Sequence, residues 1–134
     1  MSDNNVEFIQ NNIYANFESG NFVGVMAVFD SSIKFTHHGP REKIPFAGEW
    51  RGLEGAGQFF ETFGGAVEPV FVNVKGIVAS GDQVVVLINE SFRVRSTGKE
   101  YVTDVAHIWT VNNGKIVQFD ELYDSAAIAE AFAA

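Results

Sequence analysis

The sequence contains no cysteine, which excludes disulfides, thiolate nucleophiles and cysteine-ligated zinc. Basic residues are scarce: 9 Lys and Arg against 17 Asp and Glu leave a formal net charge of −8. With no Lys/Arg cluster to offset it, that charge argues against nucleic acid and anionic membrane surfaces as partners. No apolar run approaches the length of a membrane span. The start, Met1 to Asn5, is polar and lacks the basic and apolar segments of a signal peptide. A cytoplasmic protein is the expectation. Tyrosine and tryptophan are few, 3 and 2, but there are 13 phenylalanines among 134 residues. This excess fits a cavity with aromatic walls, and equally a Phe-rich core and dimer face. The length suits a single domain, 1–134, with one hydrophobic core.

Helical spacing comes first. Val6, Ile9, Ile13 and Phe17 form one stripe that stops at Gly20. Asn21 then caps a short helix carrying Phe22, Val25, Met26 and Phe29. Ile33–Thr36 reads as a brief strand, and residues 38–45 as a loop rich in Pro, Gly and charge. A third helix turns Leu53, Ala56, Phe60 and Phe63 inward. From Val67 on the period becomes that of strands, at 70–79, 84–94, 101–111 and 116–123, with a short closing helix at 126–132. Asn112-Asn113-Gly114 is a tight-hairpin signal. Three helices followed by an antiparallel meander predict an α+β fold, with helices covering one face of a strongly curved sheet. Such a cone offers a pocket at its open end for a small hydrophobic organic ligand.

Three segments carry a family resemblance: residues 14–21 (YANFESGN), 45–52 (PFAGEWRG) and 107–124 (HIWTVNNGKIVQFDELYD). In this order they resemble the SnoaL-like branch of the NTF2-like superfamily, which includes ketosteroid isomerase-like proteins. The resemblance implies the cystatin-like cone and a homodimer through the outer sheet face. It also implies chemistry among isomerases, cyclases and dehydratases, or mere binding. The positions of the isomerase's base and acidic donor fall on His37 and Ala106, and its tyrosine donor falls near Ile13, beside Tyr14. Steroid isomerisation is therefore not expected. The cyclase comparison instead points to a histidine and an acid on the last two long strands, His107 and Glu121.

Residue chemistry supports the same group. Imidazole exchanges protons near neutral pH, which suits His37 and His107 to acid–base work. Reflecting the chain about Asn113 brings His107 close to Phe119 and leaves Glu121 diagonal to it, within reach. The isomerase pattern instead turns Ala106, Ile108 and Thr110 inward and His107 outward. A bulge would reconcile the two, and His107 inward is the expectation carried forward. Strand parity groups Val117, Phe119, Glu121 and Tyr123 on one face. Strand alternation sends His38 to solvent and removes any His37/His38 metal pair; no metal ligands and no cofactor are expected. The candidate catalytic set is His37, His107 and Glu121. Tyr14, Trp50, Phe60, Trp109, Phe119 and Tyr123 are the candidate substrate-binding side chains. The expected function is cofactor-independent proton transfer on a small hydrophobic carbonyl compound. A non-catalytic binding or dimerisation module is the alternative.

Overall fold

The computed structural model describes residues 2–134. The chain begins with α1 (Ser2–Ile9), a π-helical turn (Gln10–Tyr14) and α2 (Ala15–Ser19), followed by α3 (Phe22–Met26). Asn21 caps α3, its Oδ1 accepting the Gly24 N–H at 3.0 Å. Next come β1 (Phe29–His37), β2 (Gly48–Arg51) and the long α4 (Gly52–Ala66). The four long strands are β3 (Val67–Ser80), β4 (Gln83–Val94), β5 (Glu100–Asn112) and β6 (Lys115–Tyr123), and α5 (Ser125–Phe132) closes the chain.

One six-stranded sheet runs in the order β2-β1-β6-β5-β4-β3. The sheet is mixed, because β1 lies parallel to β6 while the other pairs are antiparallel. It is curved and unclosed, with register shifts at Pro69/Phe71, Val74/Gly76 and Thr110/Val111. Such bulges bend a strand and increase its twist. Asn113 and Gly114 take φ of 51° and 73°, the positive values that a tight hairpin turn demands.

The helices pack on the inner face. Ile9, Ile13, Val25, Ala56 and Phe59 bury against Phe35, Val84, Val86, Ile88, Trp109 and Phe119. Among the described residues, no helix is long and apolar enough to cross a membrane. Three local expectations change. Phe29 opens β1 instead of ending a helix, so the brief strand is nine residues long. Residues 48–51, to which the sequence pattern assigns no element, form β2 by pairing with Lys34–His37. Leu53, expected inward, is 40% exposed at the solvent side of α4.

Candidate functional site

The β5–β6 ladder decides which residues meet. The pair Asn112↔Lys115 flanks the turn, and a straight count from it would set His107 opposite Asp120 with Glu121 outward. One extra residue in β6, Val117, falls at the register shift and changes the outcome: Thr110 pairs with Gln118 and His107 with Glu121. The buried positions Tyr101, Thr103, Val105, Trp109 and Val111 show that odd-numbered residues of β5 face inward. His107 is therefore inward and directly opposite Glu121, not diagonal to it. Val117 leaves the inward set, and Ile116, fully buried, takes its place.

Parallel pairing of β1 with β6 supplies the third member, because His37 is in register with Glu121. Three adjacent strands thus present His37, Glu121 and His107 in one row. His37 Nε2 lies 3.1 Å from Glu121 Oε2, and His107 Nε2 lies 3.3 Å from Oε1. Each carboxylate oxygen faces its own imidazole. The outer ring nitrogens are held as well: His107 Nδ1 is 2.7 Å from Tyr14 Oη, and His37 Nδ1 is 2.7 Å from Tyr123 Oη. Tyr14 Oη also accepts the indole N–H of Trp109 at 2.9 Å. The π-helical turn, where the Ala15 N–H bonds to the Gln10 carbonyl, ends at Tyr14 and brings its hydroxyl to the row.

The proton inventory of this chain is self-consistent. Trp109 donates to Tyr14, so the Tyr14 hydroxyl proton is free to go to His107 Nδ1. In the neutral ring, His107 then carries its own proton on Nε2 and donates to Glu121. On the other side no such donor fixes the direction, but His37 Nε2–H toward Glu121 leaves Nδ1 to accept the Tyr123 hydroxyl proton. The carboxylate is the terminal acceptor for both arms. Desolvation alone would raise the Glu121 pKa. The N–H groups of the two imidazoles, and the positive charge a ring carries when protonated, outweigh it and hold the carboxyl well below its ordinary range. Burial holds the Tyr14 and Tyr123 hydroxyls protonated.

Aromatic side chains build the walls. Phe119 packs on Trp109 with ring centroids 4.2 Å apart, on Phe35 at 4.4 Å and on His107 at 5.2 Å. His37 is 1% exposed, enclosed by Tyr123, Phe46 and Phe59. Gly39 packs against the Tyr123 hydroxyl so closely that an added Cβ would collide with it. The Glu121 and His107 side chains keep 10% and 12% of their surface. His38 turns outward and pairs with Asp120, Nε2 to Oδ1 at 2.9 Å.

Two candidates stand apart from the row. Trp50 donates its indole N–H to the Phe46 carbonyl at 3.0 Å and carries Arg41 over its ring at 4.2 Å. It lines an open depression of about 440 Å³ with Gln58, Glu61, Thr62 and Gly65, on the α4 side. Phe60 packs among Phe17, Phe22, Phe29, Phe35 and Phe59. A second depression, about 470 Å³, lies along α5. Neither depression includes the His–Glu row.

Two buried polar side chains were missed in the sequence. Glu90 on β4 is 6% exposed and Tyr101 on β5 is 4% exposed. Burial, with a smaller contribution from the Glu121 charge, pushes Glu90 up to about 9. Period-2 alternation carried the signal: Val84, Val86, Ile88, Glu90, Phe92 and Val94 share one face of β4.

The family model of the SnoaL-like domain matches residues 11–119. An NTF2-like protein from Burkholderia xenovorans LB400 is 26% identical over 99% of this chain and 98% of its own, with a TM-score of 0.89. An NTF2-like protein from Burkholderia thailandensis E264 is 27% identical over 94% of this chain and 95% of its own, at a TM-score of 0.83. A Mesorhizobium loti protein called a SnoaL-like polyketide cyclase shares the fold at 21% identity and a TM-score of 0.72, over 88% of this chain and 97% of its own. No curated protein matches the chain. With a match spanning most of its length, from the helix that supplies Tyr14 to the strand that supplies Phe119, the chain belongs to the SnoaL-like domain family.

Proposed function

We propose that this chain is a cofactor-independent enzyme that moves a proton on a small hydrophobic carbonyl compound, in the manner of an isomerase, cyclase or dehydratase. The observation that carries this reading is the single carboxylate of Glu121 flanked by His37 and His107. A Glu121 oxygen removes a proton from the carbon beside the carbonyl. The C–H electron pair forms a C=C bond while the carbonyl π electrons move to oxygen, giving an enolate. An imidazole Nε2–H released from Glu121 donates to that oxygen, and the proton then returns at another carbon, or the enolate carbon attacks a second carbonyl carbon whose π electrons move to its oxygen, which takes up the proton held by Glu121. A carboxylate held well below its ordinary pKa is a weak base. The carbon acid it suits is therefore itself acidic, with the C–H between two carbonyl groups.

The test is native mass spectrometry of the purified protein for a co-purified ligand, followed by turnover of that ligand by wild type, Glu121→Gln and His37→Asn. Loss of turnover in both variants supports the assignment; equal rates in all three proteins sink it. One observation favours the second reading, a non-catalytic binder. Both Glu121 oxygens already have a donor, so the row is satisfied without a ligand. In that case a ligand is retained unchanged by wild type and variants alike.

A homodimer through the outer sheet face is part of the proposal. Leu87, Ala106 and Leu122 stand in one row across β4, β5 and β6. Leu87, Val102, Leu122 and Val78 are 46%, 56%, 45% and 58% exposed. Exposed apolar surface of this kind is typical of an interface. The lack of cysteine suits a reducing, cytoplasmic setting.

A further inference from the structure

Glu90 and Tyr101 have no part in the His–Glu row, yet both residues are buried inside the same curved sheet. They are diagonal neighbours on the inner face, since Glu90 pairs with Thr103 and Phe92 with Tyr101 across the β4–β5 ladder. Among the described residues the Tyr101 hydroxyl is fully buried without a hydrogen-bond partner, and the Glu90 side chain, 6% exposed, has no basic residue opposite it in the ladder. The residue facing Glu90 offers no relief. Thr103 accepts the Asp124 N–H at 3.1 Å and donates to the Asp104 carbonyl at 3.0 Å. Both groups lie near enough to Glu121 to feel its charge, and Tyr101 also senses Glu90 and Tyr123. Both therefore stand on the inner face that carries the Glu121 carboxylate, within reach of its charge.

Unpaired buried polar groups destabilise a fold and need an explanation. A sequence that sets a buried, unpartnered phenol diagonal to a buried carboxyl, where a phenylalanine and a leucine would pack without penalty, retains them for something other than stability. We infer that Glu90 and Tyr101 form a second polar subsite, in which the carboxylic acid and the phenol donate hydrogen bonds to one carbonyl oxygen of the bound molecule. A carbonyl oxygen has two lone pairs for two donors. An anionic group is disfavoured there, because Glu121 already places a negative charge nearby. At neutral pH burial keeps Glu90 in its acid form, with the proton to donate. The ligand class is accordingly an apolar body with an acidic C–H at the Glu121 end and a carbonyl at the Glu90–Tyr101 end. This rests on the ligand class proposed above, but not on Glu121 acting as a base.

The test uses three probes on one bicyclic frame, 1-indanone, indane and 1-aminoindane, titrated by NMR into wild type, Glu90→Leu, Glu90→Gln and Tyr101→Phe. Thermal midpoints are measured alongside. Wild type is expected to bind the ketone at least roughly tenfold more tightly than the hydrocarbon, the factor one well-placed polar contact supplies. Glu90→Leu and Tyr101→Phe should shrink that ratio towards one while keeping or raising the midpoint. Glu90→Gln retains an N–H donor and should keep the preference. Glu121→Gln should also keep it, so a failure of the proton-transfer reading is distinguishable from a failure of this one. The inference is overturned if wild type shows no preference for the ketone or binds the amine more tightly. It is equally overturned if the preference survives in both Glu90→Leu and Tyr101→Phe.

Discussion

Glu90 and Glu121 share the inner face of one sheet and are driven in opposite directions. Desolvation, reinforced by the Glu121 charge, pushes Glu90 up to about 9. Glu121 is also desolvated, but its two imidazole neighbours reverse the sign and hold it well below the ordinary carboxylate range. Two carboxyl groups whose surroundings separate them in this way are suited to the roles of proton donor and proton acceptor.

The opposite shifts fix the sign of the pH dependence of stability. Between about 4.5 and about 9 the folded protein holds a proton on Glu90 that the unfolded chain has released, so stability falls as pH rises through this window. Glu121 acts at the acid end. Its stabilisation is present above about 4.5 and is lost as pH falls towards its folded value. Urea titrations across this range should show the alkaline decline in wild type and a flatter profile in Glu90→Gln. An unchanged decline in Glu90→Gln would place its origin elsewhere.

Removal of the two tyrosine hydroxyls should have unequal costs. Tyr14→Phe strips a partner from both His107 Nδ1 and the Trp109 indole N–H. Tyr123→Phe strips one from His37 Nδ1 alone. At about 1–3 kcal/mol for each buried group left unpaired, Tyr14→Phe should be the more destabilising, by roughly the cost of one such group. Chemical denaturation of both variants measures the difference.

Gly39 supplies a steric test of the His37 arm. A methyl group there must displace the Tyr123 hydroxyl. Gly39→Ala should therefore lower turnover in the manner of Tyr123→Phe, and the double variant should add little to either single one. Full additivity in the double-mutant cycle would show that Gly39 acts by another route.

The outer face gives a prediction independent of the site. Leu87→Glu and Leu122→Glu place charges on β4 and β6, either side of Ala106 in one outward row and away from the His–Glu row. Sedimentation should show a dimer for wild type and monomers for the pair of substitutions. A monomeric wild type would remove the dimer from the account.

Local patterning made most of the fold legible. The four long strands, the closing helix and the Asn21 cap all follow from alternation, helical spacing and turn chemistry. Short β2 did not, because four residues carry too little periodicity to announce a strand, and only pairing with β1 creates it. The site was legible in proportion to sequence separation. His107 and Glu121 meet across a hairpin, so counting brought them near, and a single bulged residue explains the remaining error in register. His37 meets Glu121 through a parallel contact spanning most of the chain, which no local pattern encodes. Glu90 was hidden differently: its period-2 position among valines was visible, but the polar run Asn89-Glu90-Ser91 masks the alternation.

The most direct test of the central claim is exchange of the methylene protons of pentane-2,4-dione for deuterium, followed by NMR in D2O with wild type, Glu121→Gln and His37→Asn. Wild type should accelerate the exchange. Glu121→Gln should lose the acceleration by roughly 10²–10⁴-fold, the range that a positioned acid–base group contributes, while remaining folded. His37→Asn should fall between the two. Equal exchange rates in all three proteins, at matched concentration and pH, would contradict the assignment of Glu121 as the base.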